Sequence, residues 1–113
     1  PPGAAVGGYF WMDVLTPPLV FAASDTARDQ SRLLTKACEA YRIKHGKWPE
    51  RLGQLLLKDE FGVIYLDDPN YLIDPWGRVF RYDSYGLRND RLKPDIWAVG
   101  PDGLDIGNWP TRR

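Results

Sequence analysis

The chain has 113 residues, a length that suits one domain burying roughly two-thirds of its unfolded surface. Fifteen Lys and Arg balance fifteen Asp and Glu, so the chain lacks the overall field that nucleic-acid or acidic-membrane binding draws on. Single residues at Cys38 and His45 exclude an internal disulfide, a paired-cysteine zinc site and a histidine-rich centre, and 43% hydrophobic content excludes wholesale disorder.

Residues 1 to 23 are apolar but broken by Asp13 and the Pro17–Pro18 pair. They hold no uninterrupted run near the ~20 residues of a membrane helix, and no basic start of a signal peptide. The segment is expected to follow a removed upstream piece, and it has no assigned role. A globular domain is expected over 24–113.

The first strong element is a helix over 24–46, "SDTARDQSRLLTKACEAYRIKHG". Ser24 or Asp25 is expected to cap it. Ala27, Leu34, Ala37, Cys38 and Tyr41 recur at helical spacing as one apolar stripe, with Leu33 and Ala40 widening it. Lys44 and His45 suit the negative end of the helix dipole, and Gly46 suits the left-handed stop. Pro49 and the Leu52, Leu55, Leu56 spacing predict a short second helix near 49–57. Residues 58–74 lack a clear period and read as a loop with at most one short strand. "DPWG" at 74–77 is a turn signal.

"RVFRYDSY" then alternates as a strand, and "DIWAVG" as a second, with Ile96 and Ala98 opposite Trp97 and Val99. A last strand is expected around 106–109. The fold class is therefore α+β: a long helix packed on a small antiparallel sheet, with a C-terminal loop. Trp48, Trp76, Trp97 and Trp109 are expected to fill the core or brace turns.

No catalytic constellation is assembled. The serines lack a nucleophile-elbow context, there is no phosphate-binding glycine loop, and no carboxylate pair is set across a cleft. The chain is not read as an enzyme. The best site candidate is "GPDGLDIGN" at 100–108. Calcium prefers six to eight oxygens. Asp102 and Asp105, the Val99 carbonyl at the strand end and the Asn108 amide are the candidate donors. The same residues also make a plain turn. Both readings stand on composition.

Four stretches in order, "ACEAYRIKHGKWPERLGQL", "YLIDPWGRVFRYD", "PDIWAVGPDG" and "LDIGNW", resemble the C-terminal domain of the G-type major pseudopilin of type II secretion systems, within the type IV pilin-like superfamily. The resemblance covers about 25–109. It implies a non-enzymatic subunit, periplasmic and anchored in the inner membrane by an upstream helix. Such subunits self-associate into a helical pseudopilus and meet other pseudopilins and inner-membrane secretion components. It also implies one calcium in the C-terminal loop, carried here by Val99, Asp102 and Asp105. The loop departs from the family pattern: it is shorter, with Leu104 before Asp105, and has one neighbouring acid fewer. The typical prepilin start is absent from residues 1 to 23. A type IV pilin or minor pseudopilin, and a free-standing periplasmic binding domain, are the alternatives.

Overall fold

Helix α1 runs from Pro17 to His45, 29 residues, in a computed structural model that describes residues 17–110. Its buried stripe is Ala27, Leu34, Ala37, Cys38 and Tyr41, joined by Ser31 and Thr35. Leu33 and Ala40 do not widen it: both are exposed, because they lie beyond the arc that the sheet covers. The helix begins seven residues before the expected start. Proline is tolerated in a first helical turn, where N–H groups have no partner anyway, so the Pro17–Pro18 pair opens the helix instead of breaking it. Ser24 and Asp25 therefore sit inside the helix and cap nothing, and Asp25 accepts from Arg28 Nη1 at 3.3 Å. The rest of the segment expected to be role-less, residues 1–16, lies outside the described residues. Arg42, Lys44 and His45 occupy the last turn. Gly46 closes it at φ +77°, with its N–H 2.7 Å from the Arg42 carbonyl.

The expected second helix is a single 3-10 turn, Leu52–Leu56. Gly53 weakens an α-helix here, and the hydrogen bonds close over three residues, as in Gln54 N to Arg51 O. Leu52 and Leu55 are buried as the spacing required. The Leu55 carbonyl accepts from both Tyr65 and Leu66 amides, which returns the chain to the core. A second 3-10 turn, Pro69–Leu72, lies in the stretch expected to be loop; Asp68 caps it by accepting from the Asn70 amide. Asp74 then organises the "DPWG" turn. Its buried carboxylate accepts from the Trp76 and Arg78 amides, both at 2.9 Å.

Strands β1 (Arg81–Asp83), β2 (Asp95–Val99) and β3 (Asp105–Gly107) form an antiparallel sheet in that order. Strand pleating splits its two faces. Ile96, Ala98 and Ile106 are buried on the face toward α1. Trp97, Val99, Asp105 and Gly107 occupy the other, in the register Trp97↔Gly107 and Val99↔Asp105. Trp48, Trp76, Trp97 and Trp109 are all partly buried. Leu34, Leu55, Ile96 and Cys38 are among the fully buried side chains at the centre.

Gly86 turns the β1–β2 connection at φ +67°, and a Cβ there would lie 1.8 Å from the Lys93 carbonyl oxygen. Gly86→Ala is expected to lower unfolding free energy by more than ~2 kcal/mol, since left-handed strain alone costs roughly 1–2. Urea melts check this against Gly53→Ala, which meets nothing within 4 Å. Burial, then the neighbouring Glu39 charge, pushes the Cys38 thiol up to about 12. Cys38 is expected to resist thiol reagents at pH 8 in the folded chain and to react on unfolding.

Candidate functional site

Asn108, just past β3, enters the core side of the sheet and is 4% exposed. Its Oδ1 accepts from the Ile96 amide at 3.1 Å and from Asn89 Nδ2 at 3.0 Å. Its Nδ2 donates to Thr35 Oγ1 on α1 at 2.7 Å and to the Pro94 carbonyl at 2.8 Å. Every polar direction of the amide is used within the fold, so its oxygen faces away from the C-terminal loop. Asn108 is thus no ligand donor to that loop.

The loop itself spans residues 100–104. Gly100 N donates to Leu104 O, and Gly103, at φ +84°, donates to Gly100 O, both at 2.9 Å. Asp102 is exposed and its Oδ1 accepts from the Leu104 amide at 3.1 Å. That carboxylate folds over Gly100, where a Cβ would stand 3.1 Å from the same oxygen. Val99 and Asp105 stand opposite each other at the base of the loop.

Asp105 has a partner that the sequence did not suggest. Arg88, from the 3-10 turn Leu87–Asn89, reaches its Oδ2 with Nη2 at 2.8 Å. The Arg88 guanidinium lies 4.4 Å from the Trp109 ring centre and 5.4 Å from that of Trp97. Trp109 fits over the sheet because residue 107 is glycine; a Cβ there would come within 2.3 Å of the indole. The pair is partly solvated, with side-chain exposures of 46% and 31%, so the ion pair alone contributes about 0.2–1 kcal/mol. Stacking on the two rings adds about 0.5–1 kcal/mol.

These residues do not fit a calcium ion as they are folded. Asp102 and Asp105 each give one oxygen to a protein donor and Asn108 is turned inward, so the predicted donors retain at most one oxygen on each carboxylate and the Val99 carbonyl, no more than half of the six to eight that calcium takes. A cation on Asp105 would also face the Arg88 guanidinium.

A second cluster lies at the far end of α1, 14 residues apart in sequence. His45 stacks on Tyr41 with ring centres 4.1 Å apart and meets Asp59 Oδ2 at 3.0 Å. The carboxylate can only accept, so Nε2 carries the proton. Tyr65 donates to the same oxygen at 2.6 Å, and the Phe61 and Val63 amides donate to Oδ1. Glu60 Oε1 stands 3.7 Å from His45 Nδ1. His45, Asp59 and Glu60 place ligand-type atoms within 4.8 Å of one another. Both Asp59 oxygens already accept two hydrogen bonds each, which makes the cluster a clasp between helix and loop. No local pattern announced it, since His45 ends one element and Asp59 lies in the next loop.

Burial alone would raise the Asp59 pKa, but the bonds from Tyr65, the Val63 amide, His45 and the Phe61 amide outweigh it and hold the carboxyl well below its usual range. A depressed folded pKa contributes stability above the unfolded value near ~3.9, lost as pH falls toward the folded one. The melting temperature is expected to drop between about pH 4 and pH 2. In Asp59→Asn that drop should shrink, as scanning calorimetry across this range would show.

A family model described as "Type II secretion system (T2SS), protein G" matches residues 17–110. That span takes in α1, the "DPWG" turn, the sheet, the C-terminal loop and Asn108. No curated protein and no solved structure matches the chain. The chain belongs to the type II secretion system protein G family, the major pseudopilins.

Proposed function

We propose that this chain is the globular part of a pseudopilus subunit, held at the inner membrane by an apolar helix encoded upstream and facing the periplasm. The family match across the whole described helix and sheet carries the reading. The family is a structural component of a secretion system and not an enzyme family. In this reading α1 lies downstream of the anchor, and its outward side meets neighbouring subunits. Heterologous contacts of that kind repeat without closing, which gives a helical filament.

One exposed feature suits such a contact. Ile43 is 85% exposed on α1, beside Leu92 at 75%, with Trp48 and Arg42 along the same shallow groove. Isolated exposed apolar residues are ordinary, but two this exposed in one groove match a surface that is covered in an assembly. A type IV pilin or minor pseudopilin shares the fold and remains the second reading; the match to protein G favours the major subunit.

Deleting the full-length gene in its host is expected to reduce type II cargo in the medium at least ~10-fold, with cargo retained in the periplasm. Unchanged secretion would sink the reading. Ile43→Asp should restore little secretion on complementation. Its fold should persist within about 0.5 kcal/mol, because the side chain touches so little of its own domain.

A further inference from the structure

The family expectation places a calcium ion on the C-terminal loop, yet Asn108 is turned away from it, Asp105 is bonded to Arg88 and Asp102 closes its own turn. We infer that Arg88 does the ion's work in this chain: its guanidinium, stacked on Trp97 and Trp109 and bonded to Asp105, fastens the loop to the sheet without metal. The inference concerns the loop alone and stands apart from the filament reading.

Three observations carry it. First, Arg88 is delivered by its own backbone. Its N–H donates to the buried Asp95 Oδ2 at 3.0 Å, and the next residue, Asn89, is locked inward on Asp95 and Asn108. The side chain therefore leaves the turn toward the outer face of β2 and β3. Second, that face is shaped for a planar cation. Trp97 and Trp109 stand 6.3 Å apart with Gly107 across from Trp97, and only a glycine leaves room for Trp109. A guanidinium stacks on aromatic rings and bonds a carboxylate in its plane at once, which a spherical ion cannot do. Third, Asp105 already has its cation, and the groove beside it is balanced in charge. The adjoining groove of about 510 Å³ is lined by Arg28 and Arg88 against Asp90 and Asp105. It holds no excess negative charge for a divalent ion to neutralise.

The loop, which leads into the strand that Arg88 holds, closes by itself. Its backbone closes through the Gly100–Leu104 and Gly103–Gly100 hydrogen bonds, and Asp102 Oδ1 accepts from the Leu104 amide. Asp105, which opens β3, and Trp109, just past its end, are both held by the same Arg88.

The test uses the 113-residue chain. It is stripped with EDTA and melted with calcium chloride up to 10 mM, with magnesium chloride as the ionic-strength control. The expected shift in melting temperature is under about 1 °C. A site binding only the folded state with a dissociation constant of 0.1 mM would be near hundredfold saturation and raise it by many degrees. A saturable rise that Asp102→Asn or Asp105→Asn removes overturns the inference. The second arm melts Arg88→Gln, Asp105→Asn and the double variant in EDTA. Each single change should lower the melting temperature by a few degrees, and the double should lose clearly less than the sum. Strictly additive losses would show that Arg88 does not hold Asp105 and would overturn its assigned role. The calcium arm needs no variant to fold, so it decides the metal question on its own.

Discussion

The Asn108 side chain is the joint on which the C-terminal half depends. It ties together α1 through Thr35, the start of β2 through Ile96 and Pro94, and the β1–β2 connection through Asn89. Each such bond contributes about 0.5–1.5 kcal/mol net, but a buried amide left unpartnered costs about 1–3. That asymmetry makes the network selective. A strand shifted by one residue would point Asn108 outward and strand the Thr35 and Asn89 partners inside. Apolar packing alone tolerates sliding; a buried polar group with four named partners does not.

Fixing that register decides what the opposite face displays. With Ile96, Ala98, Ile106 and Asn108 turned to the helix, Trp97, Val99, Asp105 and Gly107 must point away. The connection before β2 follows the same division. Asn89 belongs to the buried network and Arg88 to the exposed clasp, so two neighbouring residues serve opposite sides of one sheet. The left-handed Gly86, Asp90 and Arg91 bracket this short turn and give it the curvature to do so.

Legibility in the sequence followed the range of each interaction. The stripe of α1, the "DPWG" turn and the alternation of β2 are local patterns, and the structure keeps all three. The helix starts earlier than its local signals suggest, because Ser24 and Asp25 carry a capping signal that the preceding turns override. The segment around Leu52 kept its buried face while changing pitch, because apolar spacing over one turn does not separate α from 3-10. The candidate site was less legible. Asp102 and Asp105 look alike in composition, yet one closes its own turn and the other meets an arginine 17 residues away. Thr35 and Asn108 are separated by 73 residues, and only the fold brings them together.

A guanidinium can replace a bound ion only where the fold already supplies what the ion would impose. An ion gathers oxygens from several directions and bends a loop around itself. Here the loop is short enough to close through its own backbone, so nothing remains to be gathered. What is missing is attachment of the closed loop's base to the sheet, which needs a single directional contact to Asp105 and a surface to brace it. Arg88 supplies the contact and the two indoles supply the brace. The short loop and the arginine clasp thus work together: the loop closes through its own backbone, and Arg88 fastens the strand it leads into.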